Sequence, residues 1–168
     1  MYFMKYLIAL IPFFLCNIAI AENSAQASPA LIEYTLNLNF DKTQQKVIIH
    51  FYNKSNTDLH IRRDFSPFSL LLGGVSLSAF NDSESLLPVP MYYAMGHDPR
   101  VIAIPANALS EEGVELDSFI FKKDYCSILN KNPILILWSY SYYGDDYTLH
   151  PKEGVFRIKK SDVKCESK

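Results

Sequence analysis

Ile32, Tyr34, Leu36, Leu38 and Phe40 occupy every second position, with Glu33, Thr35, Asn37 and Asn39 between them. A period of two places one set on a single face of an extended chain, which predicts a half-buried β-strand. Residues 41–45 are polar and read as a turn. Val47, Ile49 and Phe51 then restore the alternation, with His50 and Tyr52 on the opposite face. The run Asn53-Lys54-Ser55-Asn56-Thr57-Asp58 is dense in side chains that satisfy backbone groups locally, so it predicts a second turn before the extended segment Leu59-His60-Ile61-Arg62.

Further along, Pro67 and Gly73-Gly74 punctuate the chain, and Val75, Leu77 and Ala79 alternate with serines as another strand. Residues 81–85 form a polar turn. Residues 86–100, with Pro88, Pro90, Gly96 and Pro99, are the least regular stretch. Val101 to Ile104 reads as a short strand stopped by Pro105, and Val114, Leu116, Phe119 and Phe121 as the next. Residues 133–143 (PILILWSYSYY) are apolar and aromatic enough for a central strand, followed by a Gly144-Asp145-Asp146 turn. Val155, Arg157 and Lys159 alternate with Phe156 and Ile158 in a last strand. No stretch keeps a helical period over three turns; the nearest, 106–112, is too short. About seven to nine short strands with regular turns predict an all-β fold, an antiparallel β-sandwich, with a small β-barrel as the alternative.

The N-terminus changes the picture of where this domain works. Lys5 supplies a positive charge, an apolar run follows to Ile20, and Ala19-Ile20-Ala21 is a small-x-small cleavage motif. Residues 1–21 are therefore expected to be a signal peptide, residues 22–30 a mobile leader, and residues 31–168 one domain. The apolar run is shorter than the roughly 20 residues a spanning helix needs, so no membrane span is expected after cleavage. Export to the periplasm or beyond follows. Cys16 would leave with the signal, since Phe13-Phe14-Leu15 lacks the small residues of a lipidation site. Cys126 and Cys165 would remain as the cysteines of the mature chain, and an oxidising compartment predicts that they pair. With 16 basic and 18 acidic residues the chain has neither a nucleic-acid binder's charge nor a polybasic membrane surface.

Two segments carry a family resemblance. KVIIHFYNKSNTDLHI resembles the second and third strands of bacterial exported immunoglobulin-like domains. Tyr93, Gly96, Arg100, the Ile104-Pro105 step, Val114 with Leu116, and Tyr125 fall in an order similar to that of the non-catalytic immunoglobulin-like domains that accompany some secreted metallopeptidases. HExxH is absent, so no peptidase activity comes with the resemblance. What it implies is an immunoglobulin-like β-sandwich fold and a habit of binding other proteins.

Candidate chemistry is sparse. There is no G-x-S-x-G nucleophile elbow, and His50 and His60 read as exposed-face residues of strands. No cofactor is expected. Met91, Met95 and His97 cluster in the irregular stretch and could ligate copper, although methionine also fills irregular core gaps. Asp145 and Asp146 read as a solvated hairpin turn. Asn53-Lys54-Ser55 matches a glycosylation sequon. Aromatic residues give the clearest signal. Trp138 is expected in the core, while Tyr142, Tyr143 and Tyr147 with Asp145 and Asp146, and Tyr92 and Tyr93 in the irregular stretch, are the candidate partner-binding residues, because tyrosine offers stiff contact area with a polar tip. The expectation is a non-enzymatic exported domain whose partner is another protein, such as a secreted effector or enzyme, with inhibitor or immunity protein as the favoured role. A surface, pilus or envelope-assembly module and a periplasmic copper-binding protein are the alternatives.

Overall fold

A computed structural model describes residues 29–70, 73–92 and 97–165. The expected signal peptide, the leader through residue 28, Tyr93 and Met95 lie outside the described residues. The rest is all-β and sandwich-like. Nine strands occur among the described residues: β1 (Ala30–Ile32), β2 (Tyr34–Asp41), β3 (Lys46–Asn53), β4 (Leu59–Arg62), β5 (Ser76–Asn81), β6 (Val101–Ile104), β7 (Leu109–Glu115), β8 (Ile134–Tyr143) and β9 (Tyr147–Ile158). They form a four-stranded sheet in the order β1-β9-β8-β5, a three-stranded sheet β2-β3-β7 and a two-stranded sheet β4-β6, with no barrel closure.

The long alternation at 32–40 is divided between two sheets. β1 pairs with β9, Ala30 opposite Tyr147, and the chain then crosses at Glu33 so that β2 pairs with β3, Tyr34 opposite Asn53. The β1–β9 pairing is parallel, which departs from the wholly antiparallel sandwich expected. A two-residue turn can join only antiparallel neighbours, and β1 meets β9 across most of the chain's length, where either direction is open. Ala30, expected in the leader, already belongs to this strand.

The buried faces of the sheets share one core. The Tyr34 ring stacks on Phe51 at 5.0 Å and meets Tyr140 edge-on at 6.3 Å, and Phe51 meets Phe68 at 6.4 Å. Trp138 and Tyr140 on β8 are buried as their shared strand face requires. Gly154 lies opposite Trp138, and a Cβ there would stand 2.5 Å from the indole, so the tryptophan takes the space a side chain would fill. β8 lies inside its sheet, as a central strand should. Between Tyr140 and Tyr142 the β8–β9 register shifts by a bulge, and Pro151 sits on the bulged segment, where a missing N–H breaks no ladder bond.

Two local expectations fail. The chain forms a helix, α1 (Lys122–Leu129), and the 106–112 stretch that looked most helical is largely strand β7. α1 buries only Tyr125 and Leu129, four residues apart, so two turns of helix leave too little period to read. The strand expected to include Leu116, Phe119 and Phe121 stops at Glu115. A 3₁₀ turn over Leu116–Ser118 follows, and Phe119 and Ile120 are both buried, which successive residues of a half-buried strand cannot be.

Cys126 of α1 is bonded to Cys165, as expected, and ties the helix to the C-terminal tail. The tail is also held from the β2–β3 turn: Gln45 donates to the Asp162 carbonyl at 2.7 Å and accepts from the Lys164 N–H, and Lys42 pairs with the buried Asp162 carboxylate at 2.8 Å. Asn53 is fully buried. Its amide donates to the carbonyls of Thr57, Ile104 and Pro105, and its oxygen accepts from the backbone and hydroxyl of Ser55. It thereby joins the end of β3 to the β4–β6 pair.

Replacing both cysteines with serine should lower the unfolding free energy by about 3–4 kcal/mol, from the loop entropy released. Urea titration followed by the fluorescence of Trp138, the sole tryptophan, would measure it. In the same assay Asn53→Ala should cost on the order of 2–4 kcal/mol, because it strands several buried backbone groups at once.

Candidate functional site

One end of the sandwich gathers the aromatic and charged side chains. The β8–β9 hairpin supplies Tyr142 and Tyr147, whose rings lie 5.3 Å apart. The Tyr147 hydroxyl donates to the His60 carbonyl of β4 at 3.0 Å, fixing the hairpin to the smaller sheet. On β4 the buried Leu59 and Ile61 force His60 and Arg62 to the outer face. Arg62 lies 4.9 Å above the Phe65 ring and makes two hydrogen bonds to Asp64, at 3.2 and 2.7 Å. Phe65 closes the 3₁₀ turn Arg63–Phe65, whose backbone is held to the irregular stretch by Arg63 N–H to Arg100 O (2.7 Å) and Asp64 N–H to Asp98 O (3.3 Å). Tyr140, deeper in the sheet, braces the same turn by donating to the Phe65 carbonyl at 3.0 Å.

Asp64 is the buried anchor of this end. His97 Nδ1 stands 2.9 Å from the carboxylate oxygen that Arg62 also contacts, while His97 itself is 67% exposed. The Arg62 hydrogen bonds hold the Asp64 carboxyl below its usual range. Beside it Arg100 holds Asp98 with bonds of 2.8 and 2.5 Å and lowers that carboxyl to about 2. Tyr142 moves the other way: burial first, then Asp145 and Asp146, raise its hydroxyl, against the opposing charge of Arg62. Tyrosines, aspartates and arginine therefore share one electrostatic neighbourhood.

The tyrosines expected at a partner surface are distributed unevenly. Tyr142 and Tyr147 are half-buried at the rim, their rings in contact at a tilt of 35°. Tyr143 projects on the other face of β8 and is 71% exposed. Asp145 and Asp146 are exposed in the turn between the strands. Tyr92 is not brought to this end by any ring contact; it stacks on Phe121 at 4.2 Å and lines an open cleft with Arg63, Asp98 and Glu112. Of the copper candidates, Met91 packs against the core and His97 is engaged by Asp64. Among the described residues no three His, Cys, Asp or Glu side chains are grouped to hold a metal.

Arg62, Asp64 and Phe65 went unread in the sequence. The signal was present, since burial of Leu59 and Ile61 sends Arg62 outward beside His60, but the contacts that give it a role come from residues 64, 65 and 97. No protein-family model, curated protein or solved structure matches the chain.

The depressed carboxyl of Asp98 has a consequence for acid stability. A group whose folded value lies below its unfolded value stabilises the fold above about pH 4, and that contribution is lost as pH falls through the folded value. An NMR titration of the Asp98 carboxyl carbon should give a midpoint near 2. In Arg100→Gln the midpoint should return toward the ordinary carboxylate range.

Proposed function

We propose that this is an exported, non-enzymatic domain that binds another protein, and within that class a periplasmic inhibitor or immunity protein that neutralises a toxic enzyme. The observation that carries the reading is the ledge at one end of the sandwich, where the Tyr142–Tyr147 pair, held to β4 by Tyr147, and the Arg62–Phe65 pair gather with His97, Val101 and the exposed Asp145 and Asp146. Tyrosine and arginine are the residues that concentrate binding energy at protein interfaces, because they bury large area with few torsions to freeze. Here their torsions are already restricted: Tyr147 by its bond to His60, Arg62 by Asp64 and Phe65. A partner would lose little entropy in ordering them, which favours a tight rather than a promiscuous contact.

The signal-peptide pattern and the Cys126–Cys165 pair support an envelope role, because both suit an oxidising compartment. The expected result of native pull-down from an envelope fraction is one stoichiometric partner. Arg62→Ala or Tyr142→Ala should weaken that complex by about 30-fold, the effect of losing about 2 kcal/mol at an interface anchor. Recovery of no partner under native conditions, or a complex indifferent to both substitutions, would overturn the reading.

A further inference from the structure

β7 is an edge of the β2-β3-β7 sheet, and the ladder fixes which way its backbone points. The Asn53 N–H donates to the Ala108 carbonyl at 3.1 Å, one step beyond the pairing of Tyr52 with Leu109. Bonded and non-bonded pairs alternate along an antiparallel ladder. Ser110, Glu112 and Val114 therefore direct their backbone groups to Phe51, Ile49 and Val47. Leu109, Glu111, Gly113 and Glu115 turn theirs away from β3, and these N–H and C=O groups have no partner among the described residues. The β5 edge of the four-stranded sheet is treated differently. There the Asn81 N–H donates to the Leu87 carbonyl and the Val89 N–H to the Ala79 carbonyl, both at 2.8 Å, so the chain covers that edge itself. β7 also borders an open cleft of about 380 Å³, walled by Phe68, Tyr92, Val114 and Phe119, with Glu112 and Arg63 paired in its lining.

We propose that the β7 edge binds an extended segment of another protein as an added strand, basic on its outer side and apolar on its inner side. The free backbone groups recur at every second residue, a repeat of about 7 Å that a polypeptide strand matches with its own N–H and C=O groups. Charge decides what kind of strand. Residues 109–118 include Glu111, Glu112, Glu115 and Asp117 and no basic residue. Glu111 and Glu115 stand on the outer face and stay 51% and 55% exposed beside His50 and Lys46, open to a second cation. The same charges turn away a second copy of this chain. Antiparallel self-pairing centred on residue 111, 112 or 113 sets Glu111 against Glu111, Glu112 against Glu112, or Glu111 against Glu115. Like charges directly opposite one another destabilise a sheet.

The inner side is equally selective. A residue opposite Val114 turns its side chain to the same side as Val114, into the cleft against Phe68, Tyr92 and Phe119. Glu112 is an inward-pointing charge, a device that deters unselective edge pairing, so a small hydroxyl residue suits the position opposite it. The site uses none of the ledge's residues, and its test does not need the envelope partner.

The test is a titration of the ¹⁵N-labelled mature protein with the capped peptide Thr-Lys-Val-Thr-Thr-Lys-Thr, which in antiparallel register sets lysine opposite Glu115 and Glu111 and valine opposite Val114. Saturable shifts of the Glu111, Gly113 and Glu115 amides are expected, with slowed hydrogen exchange at the same amides. Replacing both lysines of the peptide with glutamate should weaken binding by about tenfold. Methylating the backbone nitrogens of the two lysines and of the threonine midway between them removes the N–H groups that face β7, and should also weaken it by about tenfold. Methylating the valine and the other central threonine should not. Gly113→Pro removes an N–H that β3 does not use, as an edge strand tolerates, and should abolish binding, with Trp138 fluorescence reporting that the variant is folded. If it does not fold, the methylated peptides decide alone. Equal binding by both methylated peptides, no saturable shift on β7, or shifts at Arg62 and Tyr142 in its place would overturn the proposal. So would a dimer of the free protein in which the β7 amides are already protected from exchange.

Discussion

The packing of Tyr34 against Phe51 and Tyr140 is the contact on which the two layers depend. Tyr34 is the first residue after the chain leaves β1 for β2, so it stands where one sheet hands the polypeptide to the other. Its ring belongs to the core, its hydroxyl donates to the His150 carbonyl beside the β9 bulge, and the Lys152 ammonium lies 5.6 Å from its face. Burial raises the hydroxyl's proton affinity well above that of a free tyrosine, so it remains a neutral donor across the physiological range. One side chain thus fills apolar volume and satisfies a backbone acceptor where Pro151 interrupts the strand.

From that join the functional end follows by short steps. The bulge turns the tip of the β8–β9 hairpin toward β4, where Tyr147 reaches the His60 carbonyl. Arg62, two residues on, bridges to Phe65 and Asp64, and Asp64 gathers His97 from the irregular stretch. The hairpin and the irregular stretch are far apart in sequence, yet one arginine on β4 contacts or influences both. The outer face of the β2-β3-β7 sheet owes its order to a different source, the uninterrupted register of β2, β3 and β7. The domain therefore offers two surfaces of unlike chemistry, one aromatic and charged, the other flat and rich in amide and carboxylate groups.

Much of this architecture is legible in the residues alone. Alternation at 32–40, 47–52 and 133–143 locates β2, β3 and β8, because a half-buried strand leaves a period-two record that few other structures imitate. The cysteine pair is legible for a chemical reason. Features set by long-range contact are not. The parallel pairing of β1 with β9 joins residues more than a hundred positions apart, and nothing in Ala30 to Ile32 names its neighbour. Helix α1 is too short to declare a period, and it is held by Tyr125, Leu129 and the disulfide rather than by its own propensity. At the ledge, the tyrosines were visible as tyrosines, but Arg62 acquires its part only through Asp64 and Phe65, and the stacking of Tyr92 on Phe121 is a contact that neither residue announces in the sequence.

The position of Asn53 sets a condition on how the protein can be made. Its amide nitrogen, the atom to which a glycan would be attached, is the one that donates to Thr57, Ile104 and Pro105. Ser55, the third residue of the sequon, is bonded to the same side chain. Sugar attachment and folding therefore compete for one atom, and whichever comes first prevents the other. In a cell that scans Asn-x-Ser on the emerging chain, a modified copy could not close the β3–β4 corner. A host lacking that machinery leaves the amide free, so the choice of expression system decides whether the chain can reach its native state at all.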